Sequence, residues 1–166
     1  MHIYVFLVTA CALVYSVLAG SSSLANSDQR CVAPNNKRTP DCNQIRLRYF
    51  YNKTTGRCQN FRWTGCDRNG AFDSLYSCVS TCNKGQGAPF CANPPPGPCE
   101  GKDTDKPRER FFYNITAQRC QSYKFCGEKQ KLLDNNYFIA ETYCLKQCGG
   151  FDESTAMVKN EPKAID

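Results

Sequence analysis

Cysteine is the residue type in this chain whose number and spacing could do chemistry. The 166 residues include 13 cysteines but a single histidine, His2. Thiols at this density form disulfides, bind zinc as thiolates or act as nucleophiles. The common hydrolytic mechanisms pair a Ser or Cys nucleophile with an imidazole base, so the position of His2 decides whether they are available.

The N-terminal segment that contains His2 has the features of a cleaved secretory signal. Residues 3–18 are almost all apolar, and no Lys, Arg, Asp or Glu precedes Asp28. An apolar run of about 16 residues is shorter than the roughly 20 needed for a membrane anchor, and small residues that suit signal peptidase follow it. We therefore expect residues 1–20 to be removed and the protein to be secreted. The candidate cleavage positions are Ala19, Gly20 and Ala25.

Loss of this segment excludes several classes of site. His2 and Cys11 leave with it, so the mature chain has no histidine for a catalytic triad or a histidine metal site. We expect no enzyme activity, no cofactor and no metal. The 12 cysteines that remain are even in number, which in a secreted chain favours disulfides over thiolate-bound zinc.

The elements that must position these cysteines occur twice. Residues 48–63 recur 62 residues later as residues 110–125, with eight of sixteen positions identical and no gap. Each copy has an aromatic-rich stretch, a short Thr-containing turn and a second stretch with a cysteine, which predicts a two-stranded hairpin. Six cysteines lie in or around each copy, so we expect two small domains that need disulfides for stability. The two sets are Cys31, Cys42, Cys58, Cys66, Cys78 and Cys82, then Cys91, Cys99, Cys120, Cys126, Cys144 and Cys148.

Short helices, a linker and a tail complete the expected organisation. Residues 74–82 and 139–148 each place two cysteines four apart, on one helical face. Residues 83–90 contain two glycines and read as a connector that lets the domains move independently. Residues 149–166 have mixed charges and few apolar side chains, so we expect them to be disordered.

The cysteine intervals resemble those of the Kunitz, or bovine pancreatic trypsin inhibitor-like, family. Intervals of 15, 7, 11 and 3 residues separate successive cysteines from Cys42 onward, Arg-Tyr-Phe-Tyr-Asn lies before Cys58, and Phe72 stands six residues before Cys78. The resemblance is highly specific over residues 31–82 and somewhat less so over residues 91–148. Spacing alone leaves 15 possible pairings in each domain.

The resemblance implies a small disulfide-rich α+β fold. Residues 31–82 and 91–148 would be tandem Kunitz domains, each a twisted two-stranded antiparallel hairpin with a C-terminal helix. It also implies that first cysteine pairs with sixth, second with fourth and third with fifth. The implied bonds are Cys31–Cys82, Cys42–Cys66, Cys58–Cys78, Cys91–Cys148, Cys99–Cys126 and Cys120–Cys144.

In a Kunitz inhibitor the loop around the second cysteine enters the protease cleft, and the residue after that cysteine fills the primary specificity pocket. By resemblance these residues are Asn43 and Glu100. Neither suits a trypsin-like pocket, because the aspartate at its base favours Arg or Lys and would repel Glu100. The implied contact residues are Asn43, Gln44 and Ile45 in the first loop and Pro98, Glu100, Gly101 and Lys102 in the second.

Both loops depart from the Kunitz pattern. Asp41 stands where the family usually has proline, Thr64 replaces a loop glycine, and the first cysteine interval is lengthened. In the second domain, residues 102–110 carry an insertion of alternating charge, and residues 127–136 form another. The chain resembles the salivary Kunitz proteins of blood-feeding ticks, a family that includes anticoagulants, because it has two domains and because its loops depart from the Kunitz pattern.

The two domains differ in charge. The first holds eight Lys or Arg against three Asp or Glu, a net of +5, and the second holds nine against seven, a net of +2. A basic module is steered toward acidic exosites, heparin-like polymers, membrane surfaces or channel vestibules. An ordinary solvated surface stays an open alternative, because no block of five like charges occurs.

Asn52 and Asn114 lie in Asn-X-Thr sequons at the same position of the repeat. Such sequons are glycosylation acceptors in a secreted chain, although a sequon can also stay unused. In the Kunitz fold this position enters the hairpin turn, at the opposite end from the binding loop. We therefore expect sugars there to leave the loops uncovered.

The expected function is inhibition of extracellular serine proteases or clotting factors of the coagulation or inflammatory type, through the loops or an exosite. We expect a monomer with no nucleic-acid partner and no membrane span. An alternative is a toxin-like ion-channel or receptor ligand, which the basic run Arg46-Leu47-Arg48 motivates. A purely structural matrix module is a third possibility.

Overall fold

The computed structural model describes residues 29–99, 107–127 and 135–158. The expected signal segment and the contact residues Glu100, Gly101 and Lys102 lie outside these ranges. Within them, no helix has the length and apolar composition that crossing a bilayer requires. The elements in chain order are β1 (Arg46–Asn52), β2 (Arg57–Trp63), α1 (Leu75–Cys82), a 3-10 helix (Pro89–Ala92), β3 (Arg108–Asn114), β4 (Arg119–Phe125), α2 (Glu141–Cys148) and α3 (Glu153–Ala156).

The two predicted hairpins are confirmed, each as an antiparallel two-stranded sheet. Strands β1 and β2 pair in a register that sets Asn52 opposite Arg57, and β3 and β4 repeat it with Asn114 opposite Arg119. The Asn52 carboxamide oxygen accepts the Thr54 N–H at 2.9 Å, which closes a local turn typical of asparagine. Sequence identity between the copies therefore reflects the same hairpin built twice.

The last turn residue differs between the hairpins although its backbone does not. Gly56 has φ of 63°, and Gln118, at the equivalent position, has φ of 49°. A left-handed backbone costs a residue with a Cβ roughly 1–2 kcal/mol, whereas glycine adopts it freely. We expect Gln118→Gly to raise the free energy of unfolding by up to about 1 kcal/mol, since extra freedom in the unfolded chain offsets part of the gain.

Denaturant unfolding with the disulfides intact measures this change. Ala117→Gly is the matched control, because Ala117 precedes Gln118 in the same turn but has no positive φ. The control is expected to lower the unfolding midpoint. A fall of similar size in Gln118→Gly would show that the turn backbone carries no strain.

Each unit places a helix against its hairpin, which confirms the predicted α+β class. Leu75, Cys78 and Val79 are the buried residues of α1, and the helix begins with a capping box in which the Ser74 hydroxyl accepts the Ser77 N–H at 3.1 Å. A backbone pair between Tyr49 and Phe72, at 2.8 and 3.0 Å, ties the chain before α1 to the sheet. Helix α2 lies against β3 and β4 in the same way, after a Phe111–Phe138 backbone pair, but its N-cap residue, Ala140, provides no side-chain cap.

All 12 cysteines of the two units form disulfides. In each unit the first cysteine joins the sixth, the second the fourth and the third the fifth, with Cα–Cα distances from 4.9 to 6.2 Å. The bonds closing the longest loops span 51 and 57 residues. In the chain-entropy model each of these removes roughly 4 kcal/mol of unfolded-state freedom, which supplements a small core.

The connector between the units is fixed by hydrogen bonds. The buried Gln86 carboxamide accepts the Cys58 N–H at 2.5 Å and donates to the Cys58 carbonyl at 3.0 Å, so it pairs with β2 as another strand would. The Asn83 carboxamide donates to the Gly56 carbonyl at 2.6 Å. Ala88 N–H donates to the Ala156 carbonyl at 2.8 Å. The expectation of an independently moving linker is therefore wrong, because side-chain amides anchor it to the first unit.

The first part of the predicted disordered tail is also ordered. Phe151 is 0% exposed, its ring packs edge-on against Tyr76 of α1 at 5.1 Å, and its carbonyl accepts the Tyr113 hydroxyl at 2.7 Å. Phe151 and Ala156 thus belong to the core, while residues 159–166 lie outside the described ranges. The prediction of disorder from composition was wrong here, because one aromatic side chain anchors a segment that is polar on average.

One core therefore runs through both units. Buried residues of α1, of β3 and of the tail belong to the same hydrophobic cluster. Helices α1 and α2 contact each other, and the Lys146 ammonium on α2 donates to the Leu47 carbonyl on β1 at 3.0 Å. The two hairpins consequently share one packed core.

The cap of α3 makes the tail sensitive to acid. Asp152 accepts the Thr155 N–H at 2.8 Å and the Ser154 hydroxyl at 2.7 Å, and these bonds lower the pKa of its carboxyl to about 2. A depressed carboxyl pKa contributes stability that is complete above the unfolded pKa, roughly 4, and is lost as pH falls through about 2. We expect the unfolding midpoint to fall across this window.

The variant Asp152→Asn isolates this effect, because asparagine also caps helices but does not titrate. We expect it to flatten the decline in midpoint between about pH 4 and pH 2. Asp41→Asn, in an exposed part of the first loop, is the control and should keep the decline of the native chain. Equal declines in all three proteins would place the acid sensitivity elsewhere.

Candidate functional site

The predicted contact loops lie at the open ends of the two hairpins. Cys42 and Cys66, with Cα atoms 5.4 Å apart, are bonded just beyond the paired residues Arg46 and Trp63, where β1 begins and β2 ends. The hairpin turn is at the other end of the same sheet. Cys99–Cys126 occupies the equivalent end of the second hairpin, with Cα atoms 4.9 Å apart. Each loop is thus tethered by a disulfide to the end of a rigid ribbon.

The first loop is exposed but bent. Asn43, Gln44 and Ile45 all face solvent, and Ile45 is 55% exposed. The Cys42 N–H donates to the Thr39 carbonyl at 3.0 Å, which closes a turn over residues 39–42. Pro and Asp favour this turn at its two central positions. A substrate-like loop needs extended backbone before the specificity residue, and here that backbone turns instead.

Asn36 supports the first loop, and sequence reasoning missed it. Its carboxamide donates to the Arg62 carbonyl at 2.7 Å and accepts the N–H of buried Thr64 at 2.9 Å. The Thr64 hydroxyl donates to the Lys37 carbonyl at 3.2 Å. The lengthened first interval is therefore fastened to the end of β2.

A shallow cleft lies beside the exposed Ile45. It measures about 280 Å³ and is open to solvent. Asn36 and Thr64 form part of its wall, and the exposed Arg38 and Arg62 give it positive charge. The first loop therefore presents an apolar side chain next to two cations, a surface that suits a partner with acidic groups around an apolar patch.

The second loop has a supported entrance. Cys99 N–H donates to the Lys124 carbonyl at 2.9 Å, Cys126 N–H donates to the Gly97 carbonyl at 2.9 Å, and Pro98 lies opposite Phe125. Gly97 has φ of 56°, and a Cβ there would stand 2.9 Å from the Phe125 ring. Glycine is therefore required at this position, where the chain turns, and the following Pro98 pairs with Phe125 as an isolated bridge at the end of the sheet.

Aromatic side chains stiffen this entrance from behind. The Tyr123 hydroxyl donates to the Pro96 carbonyl at 3.0 Å, and burial raises the pKa of Tyr123 to about 12. The Phe125 ring packs edge-on against Tyr137 at 4.8 Å, and the Tyr137 hydroxyl accepts a hydrogen bond from Arg110 at 2.7 Å. The entrance consequently rests on a packed platform.

The run Arg46-Leu47-Arg48 does not project as one basic surface. Arg48 is 8% exposed, lies over the Trp63 ring at 5.0 Å and pairs with Asp73. Lys146 covers the Leu47 carbonyl. Arg46 alone of the two arginines faces solvent, so the structure gives no support to a channel ligand that uses both.

Parts of this chain are similar in sequence to known proteins. A family model described as the Kunitz/Bovine pancreatic trypsin inhibitor domain matches residues 30–83. Trophoblast Kunitz domain protein 1 of Ovis aries is 41% identical over 75 residues, which are 45% of this chain and 27% of that protein. BPTI/Kunitz domain-containing protein 5 of Margaritifera margaritifera is 27% identical over 139 residues, 81% of this chain and 66% of that protein.

A solved structure with the same kind of domain is also similar. It is that of ixolaris, from an NMR study of its interaction with Factor X, and it is 22% identical, covers 74% of this chain and 97% of that chain, and has a TM-score of 0.26. The present chain spans about a quarter of the length of the Ovis aries relative. Residues 30–83 thus match the Kunitz/bovine pancreatic trypsin inhibitor domain, and the second unit repeats their hairpin, helix and disulfide pattern.

Proposed function

We propose that this chain is a secreted inhibitor of serine endopeptidases of the coagulation or inflammatory type. It binds the protease through its disulfide-tethered loops and carries out no chemistry itself. The Kunitz assignment of residues 30–83 supports this function. Twelve disulfide-bonded cysteines fit an oxidising compartment, which supports secretion.

The second loop makes the principal contact. The observation that carries this proposal is the Gly97–Cys99 segment, which two hydrogen bonds hold to β4 and its flank and in which Pro98 is bridged to Phe125. A loop already fixed in one shape loses little conformational entropy when it enters a cleft. Pro98 adds to the rigidity because its ring fixes φ. Glu100, Gly101 and Lys102 follow directly and are the residues that would enter the cleft.

The specificity residues set the class of target. Glu100 in a pocket with an aspartate at its base would bring like charges together in a desolvated site, at a cost of several kcal/mol. Asn43 in an apolar pocket would leave a buried amide unpaired, which costs about 1–3 kcal/mol. The target therefore has a pocket that accepts a carboxylate or a polar side chain, unlike that of trypsin.

The first loop makes a secondary contact. The turn over residues 39–42 keeps its backbone from lying along a cleft as a substrate does. Its exposed Ile45 and the flanking Arg38 and Arg62 suit the acidic rim of a protease outside the catalytic groove. Because one core joins the two units, both contacts are presented together.

The test is titration of the purified mature protein against a panel of clotting, digestive and leukocyte serine proteases. The rate at which each protease cleaves a small peptide substrate is the readout. We expect inhibition of at least one clotting or leukocyte enzyme and none of trypsin. Glu100→Ala should weaken that inhibition more than Asn43→Ala does. Arg57→Ala, at the hairpin turn far from both loops, is the control. No inhibition of any clotting or leukocyte enzyme would refute the proposal.

A further inference from the structure

We propose that four cations around Trp63, contributed by both units, form a binding site for a sulfated polysaccharide. The four residues are Arg46, Arg48, Arg68 and Lys146, called the Trp63 cluster below. Their juxtaposition depends on the contact of α2 with α1 and on the Lys146–Leu47 hydrogen bond, and not on either loop. The inference is therefore independent of protease inhibition.

Two arginines of the cluster lie over one indole ring, and the third is its cross-strand neighbour. The guanidinium carbon of Arg48 lies 5.0 Å from the centroid of the Trp63 ring, and that of Arg68 lies 5.7 Å from it. Arg46 is the residue directly opposite Trp63 in the strand register. Cation–π contacts of this kind hold guanidinium groups in place before a ligand arrives.

The fourth cation comes from the second unit. The Lys146 ammonium donates to the Leu47 carbonyl at 3.0 Å, which puts it on the backbone between Arg46 and Arg48. Burial lowers the pKa of Lys146 most, and the nearby positive charges of Arg48 and Arg46 lower it further. Two sequence-distant parts of the chain thus build one positive surface.

Nearby carboxylates neutralise only part of this charge. Asp73 pairs with Arg48, and the Asp67 carboxylate accepts the Asn69 N–H at 2.8 Å. Four cations and two carboxylates leave an excess of two positive charges. Like charges held together without a ligand oppose the compact state, and bound anions relieve that repulsion.

A sulfated polysaccharide fits this surface better than a protein does. Trp63 is 3% exposed, so its ring is occupied by the arginines and offers no aromatic anchor of the kind that dominates protein interfaces. Exposed Arg46 and Arg68 each present a planar fork that matches a sulfate oxygen pair. Such a surface favours a ligand that carries repeated anionic groups and is bound through charge.

Heparin affinity measured as a function of NaCl concentration tests the site. The variant Arg46→Gln/Arg68→Gln/Lys146→Gln removes three cluster charges and keeps Arg48, which is buried in the fold. Its matched control, Arg57→Gln/Lys84→Gln/Arg119→Gln, removes three exposed charges elsewhere. Unfolding midpoints of both variants verify that the fold is intact.

Each lost contact to a polyanion lowers the salt dependence of binding, because fewer counterions are released. We expect the cluster variant to bind heparin at least about 10-fold more weakly at 0.15 M salt with a shallower salt slope, and the control to lose less than about 3-fold. The single variant Lys146→Gln should also reduce the slope, which shows that the second unit contributes.

Three results would overturn the proposal. One is no heparin binding by the native chain at 0.15 M salt. Another is an equal loss of affinity in the cluster variant and the control, which would mean a general effect of net charge. The third is binding of polyglutamate as tight as that of heparin at equal charge, which would point to an acidic protein as the partner.

Discussion

Substitution of Glu100 by arginine is expected to turn this protein into an inhibitor of trypsin. The entrance to the second loop is bonded to β4 through Cys99, and under the proposed function the residue that follows Cys99 enters the specificity pocket. Arginine there replaces a like-charge contact by a charge pair at the base of the pocket, a change worth several kcal/mol. We expect the inhibition constant for trypsin to improve by at least about 100-fold, which corresponds to roughly 2.7 kcal/mol.

Asn43→Arg is the matched substitution in the first loop. It introduces the same side chain after the second cysteine, but the turn over residues 39–42 bends the backbone that precedes it. We therefore expect a gain of less than about 10-fold, or about 1.4 kcal/mol. A larger gain for Asn43→Arg than for Glu100→Arg would reverse the roles assigned to the two loops.

Phe151→Ala is expected to have the largest effect on stability. The Phe151 ring is fully buried against Tyr76, and its loss leaves a cavity at the junction of the two units. Truncation of a buried phenylalanine to alanine typically costs about 3–5 kcal/mol. Since Gly150 packs directly on the Tyr76 ring, the surrounding backbone has little room to close the cavity.

Denaturant unfolding with intact disulfides measures this loss as a lower midpoint. Met157→Ala in the same segment is the control, because Met157 is 53% exposed, and surface substitutions usually change stability by less than about 0.5 kcal/mol. A Phe151→Ala loss no larger than that of the control would mean that the tail does not belong to the core. The linker, the contact between α1 and α2 and the Lys146–Leu47 hydrogen bond would then be the connections between the units.

The sequence predicted the elements because their signals are local. Aromatic stretches on either side of a Thr-containing turn indicate a hairpin, and cysteines four apart indicate one face of a helix. The α+β class with two hairpin-and-helix units follows from these signals, and the structure confirms it. The repeat gave the same prediction twice, which made it specific.

The packing between the units could not be predicted in this way. Gln86 and Phe151 lie in stretches whose average composition indicates a linker and a tail. Each acts through a long-range contact, Gln86 with Cys58 and Phe151 with Tyr76. Composition averages over neighbours in sequence and carries no information about one buried side chain whose partner is far along the chain.

The candidate site was predicted in part. The residues after the second cysteines could be placed by resemblance, but the bend before Cys42 was missed although Pro40 and Asp41 favour a turn. Asn36 could not be found, because its bonds to Arg62 and Thr64 span 26 and 28 residues and exist only in the folded loop. The shape of the first loop thus depends on Asn36, a side chain outside the loop.

The most direct test of the proposed function compares one protease in two states. The protease that the native chain inhibits is used with its catalytic serine free and with that serine covalently blocked by a small inhibitor that fills the specificity pocket. Loop insertion predicts that blocking the serine weakens binding of the native chain by at least about 10-fold, or 1.4 kcal/mol. Equal dissociation constants for the free and the blocked protease would contradict it, since the contact would then lie entirely outside the catalytic cleft.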